Sequence, residues 1–118
     1  MKIVTKTFRN RTKANIIGTQ IAVAETSLTR LIGLAGRRRL DAGRGLLIRP
    51  SSGIHTFGML FAIDVIALSG SMQVVKLWRR LPPFRATSIS WKVQSVLELT
   101  AGEIDTCRIE VGDQLEIN

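Results

Sequence analysis

The chain has 118 residues, of which 45% are hydrophobic and 22% charged, a composition that fits one folded domain and excludes a disordered chain. The single cysteine, Cys107, excludes an intramolecular disulfide and a cysteine-rich zinc module. The net charge of +8 makes polyanions the partners to consider: nucleic acid, an anionic membrane face or an acidic protein.

Short alternating or apolar segments, separated by polar turns, predict β-strands along most of the chain. In chain order the predicted strands are 2–8, 16–23, 46–48, 54–56, 63–68, 72–80, 95–99 and 114–117. The first two are joined by a polar turn and predict a hairpin.

Two helices are predicted between these strands. Leu28, Leu31, Ile32 and Ala35 recur at the spacing of one helical face, which predicts a helix at about 27–37. A short helix is predicted at about 103–107. The fold class is therefore α+β, mainly β: one domain over residues 1–118, built on a compact, partly closed antiparallel or mixed sheet of short strands.

The charge is distributed unevenly along the chain. Residues 1–92 hold sixteen basic and three acidic residues, and residues 93–118 hold one basic and six acidic residues. A basic body of this kind can bind polyanions, but a merely solvated cationic surface explains it as well, because the basic residues are scattered. Trp78, Phe84 and Trp91 lie close to Arg79, Arg80 and Arg85, which is typical either of a protein-contact patch or of a loop covering one end of the sheet.

No membrane-spanning or signal segment is recognisable in the sequence. The longest uncharged run, residues 50–63, is too short to span a bilayer as a helix and is interrupted by proline and glycine. We therefore expect a cytoplasmic protein, and the sequence predicts no cofactor and no metal site.

Six short motifs occur in the order in which one known family carries them. They are residues 30–34 (RLIGL), 45–50 (GLLIRP), 54–59 (IHTFGM), 63–68 (IDVIAL), 96–102 (VLELTAG) and 111–113 (VGD). On these motifs the chain resembles the uncharacterised domain-of-unknown-function 192 family (DUF 192), in its His-Thr branch. The resemblance covers about residues 10–117 and implies a small β-rich domain with no established activity. The chain departs from the family at the turn Ser69-Gly70-Ser71 and at Ser51-Ser52, where relatives often place a cysteine, which puts in doubt a function needing a thiol there.

Four polar residues embedded in these apolar motifs form a candidate ligand-binding pocket together with Met59: Arg30, His55, Asp64 and Glu98. His55, the only histidine, either lines this pocket or holds a loop by hydrogen bonds. Asp64 lies inside an apolar strand and needs a partner, either Arg30 in a structural bridge or the pocket that it would share with His55. Glu98 is either a surface residue or a third polar group of that pocket, whereas Met59 and Cys107 fit a core as well.

Three functional hypotheses follow. The first is a small binding or accessory module that takes a small polar ligand or a protein partner in this pocket. The second is a hydrolase-like enzyme with His55 as base and Asp64 orienting it, although no catalytic residue can be assigned from sequence. The third is a polyanion binder that uses the basic face.

Overall fold

The computed structural model describes residues 5–25, 40–54, 56, 59–88 and 90–118, which contain seven strands and one short helix. In chain order they are β1 (Thr5–Asn10), β2 (Asn15–Ala24), β3 (Arg44–Ile48), β4 (Ile63–Leu68), β5 (Val74–Leu81), β6 (Ser95–Thr100), α1 (Glu103–Thr106) and β7 (Leu115–Ile117). The short helix predicted at about 103–107 corresponds to α1. The helix predicted at about 27–37 lies outside the described residues.

The seven strands form one mixed sheet in the order β5-β4-β6-β3-β2-β1-β7. β2 and β3 pair in parallel, with Gln20 opposite Arg44, and the other neighbouring strands pair antiparallel. A parallel pair cannot be joined by a tight turn, which agrees with the long connection between β2 and β3. The mainly β character predicted from the sequence is confirmed.

The sheet carries a separate apolar cluster on each face. Side chains alternate between faces along a strand, so β4, which is fully buried, and β6, which is buried except at Thr100, contribute to both clusters. The first cluster includes Phe8, Ile21, Leu47, Ile66, Leu68, Leu97, Leu99 and Ile104. The second cluster includes Leu46, Ile48, Met59, Ile63, Val65, Ala67, Val93 and Val96.

The two terminal strands of the sheet, β5 and β7, are joined at one end. Gln73, just before β5, forms a β-bridge with Gln114, just before β7. The amide of Val74 donates to the carbonyl of Asp113 at 2.9 Å, and the amide of Leu115 donates to the carbonyl of Met72 at 2.9 Å. These bonds satisfy backbone groups that two open sheet edges would otherwise expose to water.

One predicted strand differs in the structure, since Ile54 and Thr56 lie outside the seven strands. Both residues instead bind the irregular segment that follows β5. The amide of Ile54 donates to Oγ1 of Thr87 at 2.9 Å, and the amide of Thr87 returns a bond to the carbonyl of Ile54 at 2.8 Å. A segment that pairs with an irregular partner does not extend a regular ladder.

Among the described residues, no helix is long and apolar enough to cross a membrane.

Candidate functional site

Asp64 is fully buried in β4, where its carboxylate binds three backbone amides. Its Oδ1 accepts from the amide of Arg80 at 2.9 Å, and its Oδ2 accepts from the amides of Gly102 at 3.0 Å and Ile104 at 2.8 Å. These bonds join β4 to β5 and to the first turn of α1, whose free amides favour an anion. The carboxylate of Asp64 therefore binds backbone amides that hold the fold together, and the sequence pattern does not reveal these partners.

Glu98 is buried in β6 with a different environment. It lies between Leu46 of β3 and Val65 of β4, its cross-strand neighbours, and is 3% exposed. Among the described residues no group bonds its Oε1, which is itself buried. Burial raises the pKa of Glu98 to about 8, because the charged form loses its hydration. This shift favours the neutral carboxyl group well above the pH at which an exposed glutamate ionises.

The alternation of side chains places Glu98 on the face of the second cluster. Leu46 and Val65 belong to that cluster, and so does Met59, which is 4% exposed. Glu98 and Met59, two of the predicted pocket residues, thus share one face of the sheet. This face combines an apolar surface with one carboxyl group that can donate or accept a hydrogen bond.

Asp64 lies on the opposite face from Glu98. Its cross-strand neighbour is Leu99 of the first cluster, and its partner Ile104 also belongs to that cluster. The sequence predicted that Asp64 and Glu98 line one pocket, and the structure corrects this. Glu98 lies opposite Val65, and the consecutive residues Asp64 and Val65 of β4 point to different faces. The other two predicted pocket residues, Arg30 and His55, lie outside the described residues.

Thr56 is a residue of the central motif that sequence reasoning did not single out. It is fully buried, and its hydroxyl donates to the carbonyl of Pro82 at 2.7 Å while accepting from the amide of Arg85 at 2.8 Å. Its backbone binds the same segment, since its amide donates to the carbonyl of Arg85 and its carbonyl accepts from Phe84. The central motif thus holds the segment after β5. The role of Thr56 could be recognised only once the structure showed that this segment is its hydrogen-bond partner.

A cleft of about 400 Å³ lies at a different place, where the ends of β2 and β3 approach the β4–β5 turn. Its polar groups include an ion pair between Nε of Arg49 and Oε2 of Glu25 at 3.2 Å. Met72 and Ile117 contribute apolar surface to the same cleft. The sequence motifs did not indicate this cleft, because its walls come from segments far apart in the chain.

Cys107 belongs to the first cluster and is 7% exposed. Burial, together with the nearby carboxylate of Glu103, raises the pKa of its thiol to about 11. A thiol of this kind is a poor nucleophile at neutral pH. Within the described part of the chain, no group of three His, Cys, Asp or Glu residues is arranged to hold a metal ion.

Comparisons with known proteins agree on the family and on the fold. The family model DUF192, described as an uncharacterised ACR, matches residues 8–117. A UPF0127 protein of Pyrococcus furiosus is 32% identical over 112 residues, covering 92% of this chain and 96% of the relative.

Two crystal structures have the same fold. A protein of unknown function from Novosphingobium aromaticivorans superposes with a TM-score of 0.82 and 21% identity, covering 97% of this chain and 84% of that protein. A candidate transcription regulator from Sinorhizobium meliloti superposes with a TM-score of 0.81 and 18% identity, covering 95% of this chain and 91% of that protein. At these identities the likeness concerns the fold alone.

Proposed function

The chain belongs to the DUF192 family, whose function is unknown, and from this premise we propose that it is a binding module for a small molecule. The site lies on the face of the second cluster, and Glu98 is its polar group. The ligand is a compound with an apolar body and one hydrogen-bond donor, an ammonium or an amide.

The observation that carries this proposal is the unpartnered Oε1 of Glu98. A buried polar atom without a partner destabilises the fold by roughly 1–3 kcal/mol. Buried polar atoms in native proteins are mostly bonded, and an exception often has a functional reason. A ligand that donates a hydrogen bond to Oε1 would remove this penalty on binding.

The apolar residues around Glu98 indicate what the remaining part of the ligand is. Its cross-strand neighbours Leu46 and Val65, and Met59 of the same cluster, are apolar and buried, so they would contact a hydrocarbon group. Arg30 and His55 remain proposed members of the same pocket because both belong to the motifs from which the sequence predicts it. Asp64 is not included, since its carboxylate binds backbone amides on the other face.

The proposal is tested by methyl-detected NMR titration with hexylamine and hexanamide, which combine a six-carbon body with a charged or a neutral donor. We expect both compounds to shift the methyl resonances of Leu46, Val65 and Met59 in the wild-type protein. Glu98→Leu, which fills the site without an acceptor, should weaken binding about tenfold or more. Glu116→Gln, a change at a partly exposed glutamate of β7, is the matched control and should leave binding unchanged.

Two results would contradict the proposal. One is the absence of any methyl shift in the wild-type protein up to the solubility limit of both compounds. The other is equal binding by the wild-type protein and Glu98→Leu, particularly if the shifts map to Met72 and Ile117 in the cleft instead.

A further inference from the structure

The segment from β5 to the start of β6 presents a cationic and aromatic surface that the proposed pocket does not use. We define the Trp78–Trp91 surface by Lys76, Trp78, Phe84, Arg85, Trp91 and Lys92. Residues 76–92 contain five basic residues and no acidic residue. We propose that this surface binds single-stranded nucleic acid.

One contact joins the β5 part of this surface to the segment that follows it. Lys76 and Trp78 are opposite Ala67 and Val65 of β4, on the face of the second cluster. The segment after β5 returns along the same strand, since Nζ of Lys76 lies 3.5 Å from Oγ of Ser88. The surface therefore combines one edge strand with the loop that follows it.

Two aromatic side chains of this surface are directed to solvent. Phe84 is 68% exposed and Trp91 is 83% exposed, although large apolar side chains are usually buried. Phe84 also has a φ of 63°, which is a strained conformation for a bulky residue. The bonds from Thr56 hold the backbone there, so the fold keeps an aromatic ring in water at a free-energy cost.

Each tryptophan of the surface has a lysine ammonium over its ring. Nζ of Lys76 lies 5.0 Å from the centroid of Trp78, and Nζ of Lys92 lies 5.8 Å from the centroid of Trp91. A base stacked on the free side of Trp91 would bring its own phosphate close to an ammonium group. Stacking together with cationic side chains is the general mode of sequence-independent single-strand binding.

The cations of this surface are not neutralised by the acidic end of the chain. The described carboxylates there pair elsewhere, since Glu116 contacts Arg9, Glu110 contacts Lys13, and Asp105 contacts Arg79. Within the described residues, no carboxylate lies within 4 Å of the charged groups of Lys76, Arg85 or Lys92.

Nucleic acid fits these observations better than the two other polyanions. An anionic membrane would attract Lys76 and Lys92 through its headgroups, but it offers no flat ring to stack on Trp91. An acidic peptide would satisfy the lysines, but it offers no flat ring to stack on Trp91. Both partners are nevertheless included as outcomes of the test.

The test measures the fluorescence polarisation of a labelled 15-nucleotide oligouridylate with the full chain at several salt concentrations. With three cations on phosphates, the slope of log affinity against log salt should be about −2, so affinity should fall roughly 100-fold between about 25 and 250 mM salt. Trp91→Ala should weaken binding at least about fivefold through the loss of stacking. Lys76→Gln and Lys92→Gln should each reduce the slope by about 0.7.

Lys6→Gln is the matched control, because Lys6 lies on β1, which pairs with β2 and β7 and not with β5. It removes the same charge and should leave the slope and the affinity nearly unchanged. Near-ultraviolet circular dichroism verifies that each variant is folded.

Any of three results would overturn the inference. The first is no binding of the oligonucleotide at low salt, and the second is an equal effect of Lys6→Gln and Lys92→Gln. The third is binding of poly-glutamate or of phosphatidylserine vesicles as tightly as the oligonucleotide, with the same dependence on Trp91, which would assign the surface to an acidic protein or to a membrane.

Discussion

Two buried carboxylates in adjacent strands of this sheet have opposite environments. Asp64 accepts three backbone hydrogen bonds, whereas no described group bonds Oε1 of Glu98. The difference follows from the faces on which they lie, because α1 presents its free amides to the face of Asp64. With Oε1 buried and unbonded, Glu98 is favoured as the neutral acid.

The neutral state of Glu98 predicts an unusual dependence of stability on pH. Its pKa in the folded protein is about 8, above the ordinary value of 4.5, so the folded state holds more protons than the unfolded state between these values. The contribution of this group is therefore fully present below about pH 4.5 and is lost as the pH rises through 8. The upper bound of this loss is about 5 kcal/mol.

The measurement is urea denaturation of the wild-type protein and of Glu98→Gln from pH 5 to pH 9.5. The glutamine has the same shape and does not titrate, so we expect the wild-type protein to lose free energy of unfolding relative to this variant as the pH rises. Glu116→Gln should reproduce the wild-type dependence. A constant difference between Glu98→Gln and the wild-type protein would show that Glu98 does not titrate in this range.

Asp64→Asn tests the role of Asp64 as a structural acceptor. Asparagine retains one oxygen but turns an NH₂ group towards at least one of the amides of Arg80, Gly102 and Ile104. We expect a loss of about 2–4 kcal/mol in the free energy of unfolding, since hydrogen bonds to a charged acceptor are lost and a buried donor is left unpaired. Asp105→Asn, at an exposed ion pair with Arg79, should cost less than about 1 kcal/mol. Similar losses in both variants would contradict this role.

At the scale of the elements, Thr56 connects the central motif to the Trp78–Trp91 surface. Thr56→Val keeps the shape but removes the hydroxyl that binds Pro82 and Arg85. We expect the amide of Arg85 to exchange with solvent at least about tenfold faster, because its acceptor is gone. Thr56→Ser keeps the hydroxyl and should retain slow exchange. Unchanged exchange in Thr56→Val would mean that other contacts hold this segment.

Sequence patterns predicted the strands better than they predicted the site. The run Ile63–Leu68 and the segment Ser95–Leu99 are recognisable because their composition alone indicates buried strands. Their positions side by side in the sheet depend on pairing between distant segments, which composition does not encode. The faces of Asp64 and Glu98, and hence their separation, follow from that pairing. The hydrogen bonds of Thr56 likewise depend on an irregular partner about 30 residues away in the chain.

At the scale of the whole molecule, one carboxylate joins the segments that close the sheet. Asp113 accepts from Nδ2 of Asn10 at 2.8 Å, from Nζ of Lys13 at 2.8 Å and from the amide of Glu110 at 2.9 Å. Its own carbonyl accepts from the amide of Val74 at the start of β5. The β1–β2 turn, the segment before β7 and the edge strand β5 therefore meet at this residue, which is 4% exposed.

The hydrogen bonds of Asp113 predict how the stability of the closed sheet responds to acid. Burial alone would raise the pKa of Asp113, but the hydrogen bonds from Lys13, Asn10 and the amide of Glu110 outweigh it and lower that pKa below the ordinary 3.8. The stabilisation that the charged Asp113 provides is therefore present above its ordinary pKa and is lost as the pH falls through the lowered pKa in the folded protein.

We expect Asp113→Asn to lose roughly 1–3 kcal/mol in the free energy of unfolding at pH 7. This difference from the wild-type protein should shrink below pH 3.8, as measured by chemical denaturation from pH 7 to pH 2.5. Glu116→Gln, at a half-exposed ion pair with Arg9, should cost less than about 1 kcal/mol at every pH. If the Asp113→Asn difference instead stays constant down to pH 2.5, the carboxylate charge does not hold the sheet closed.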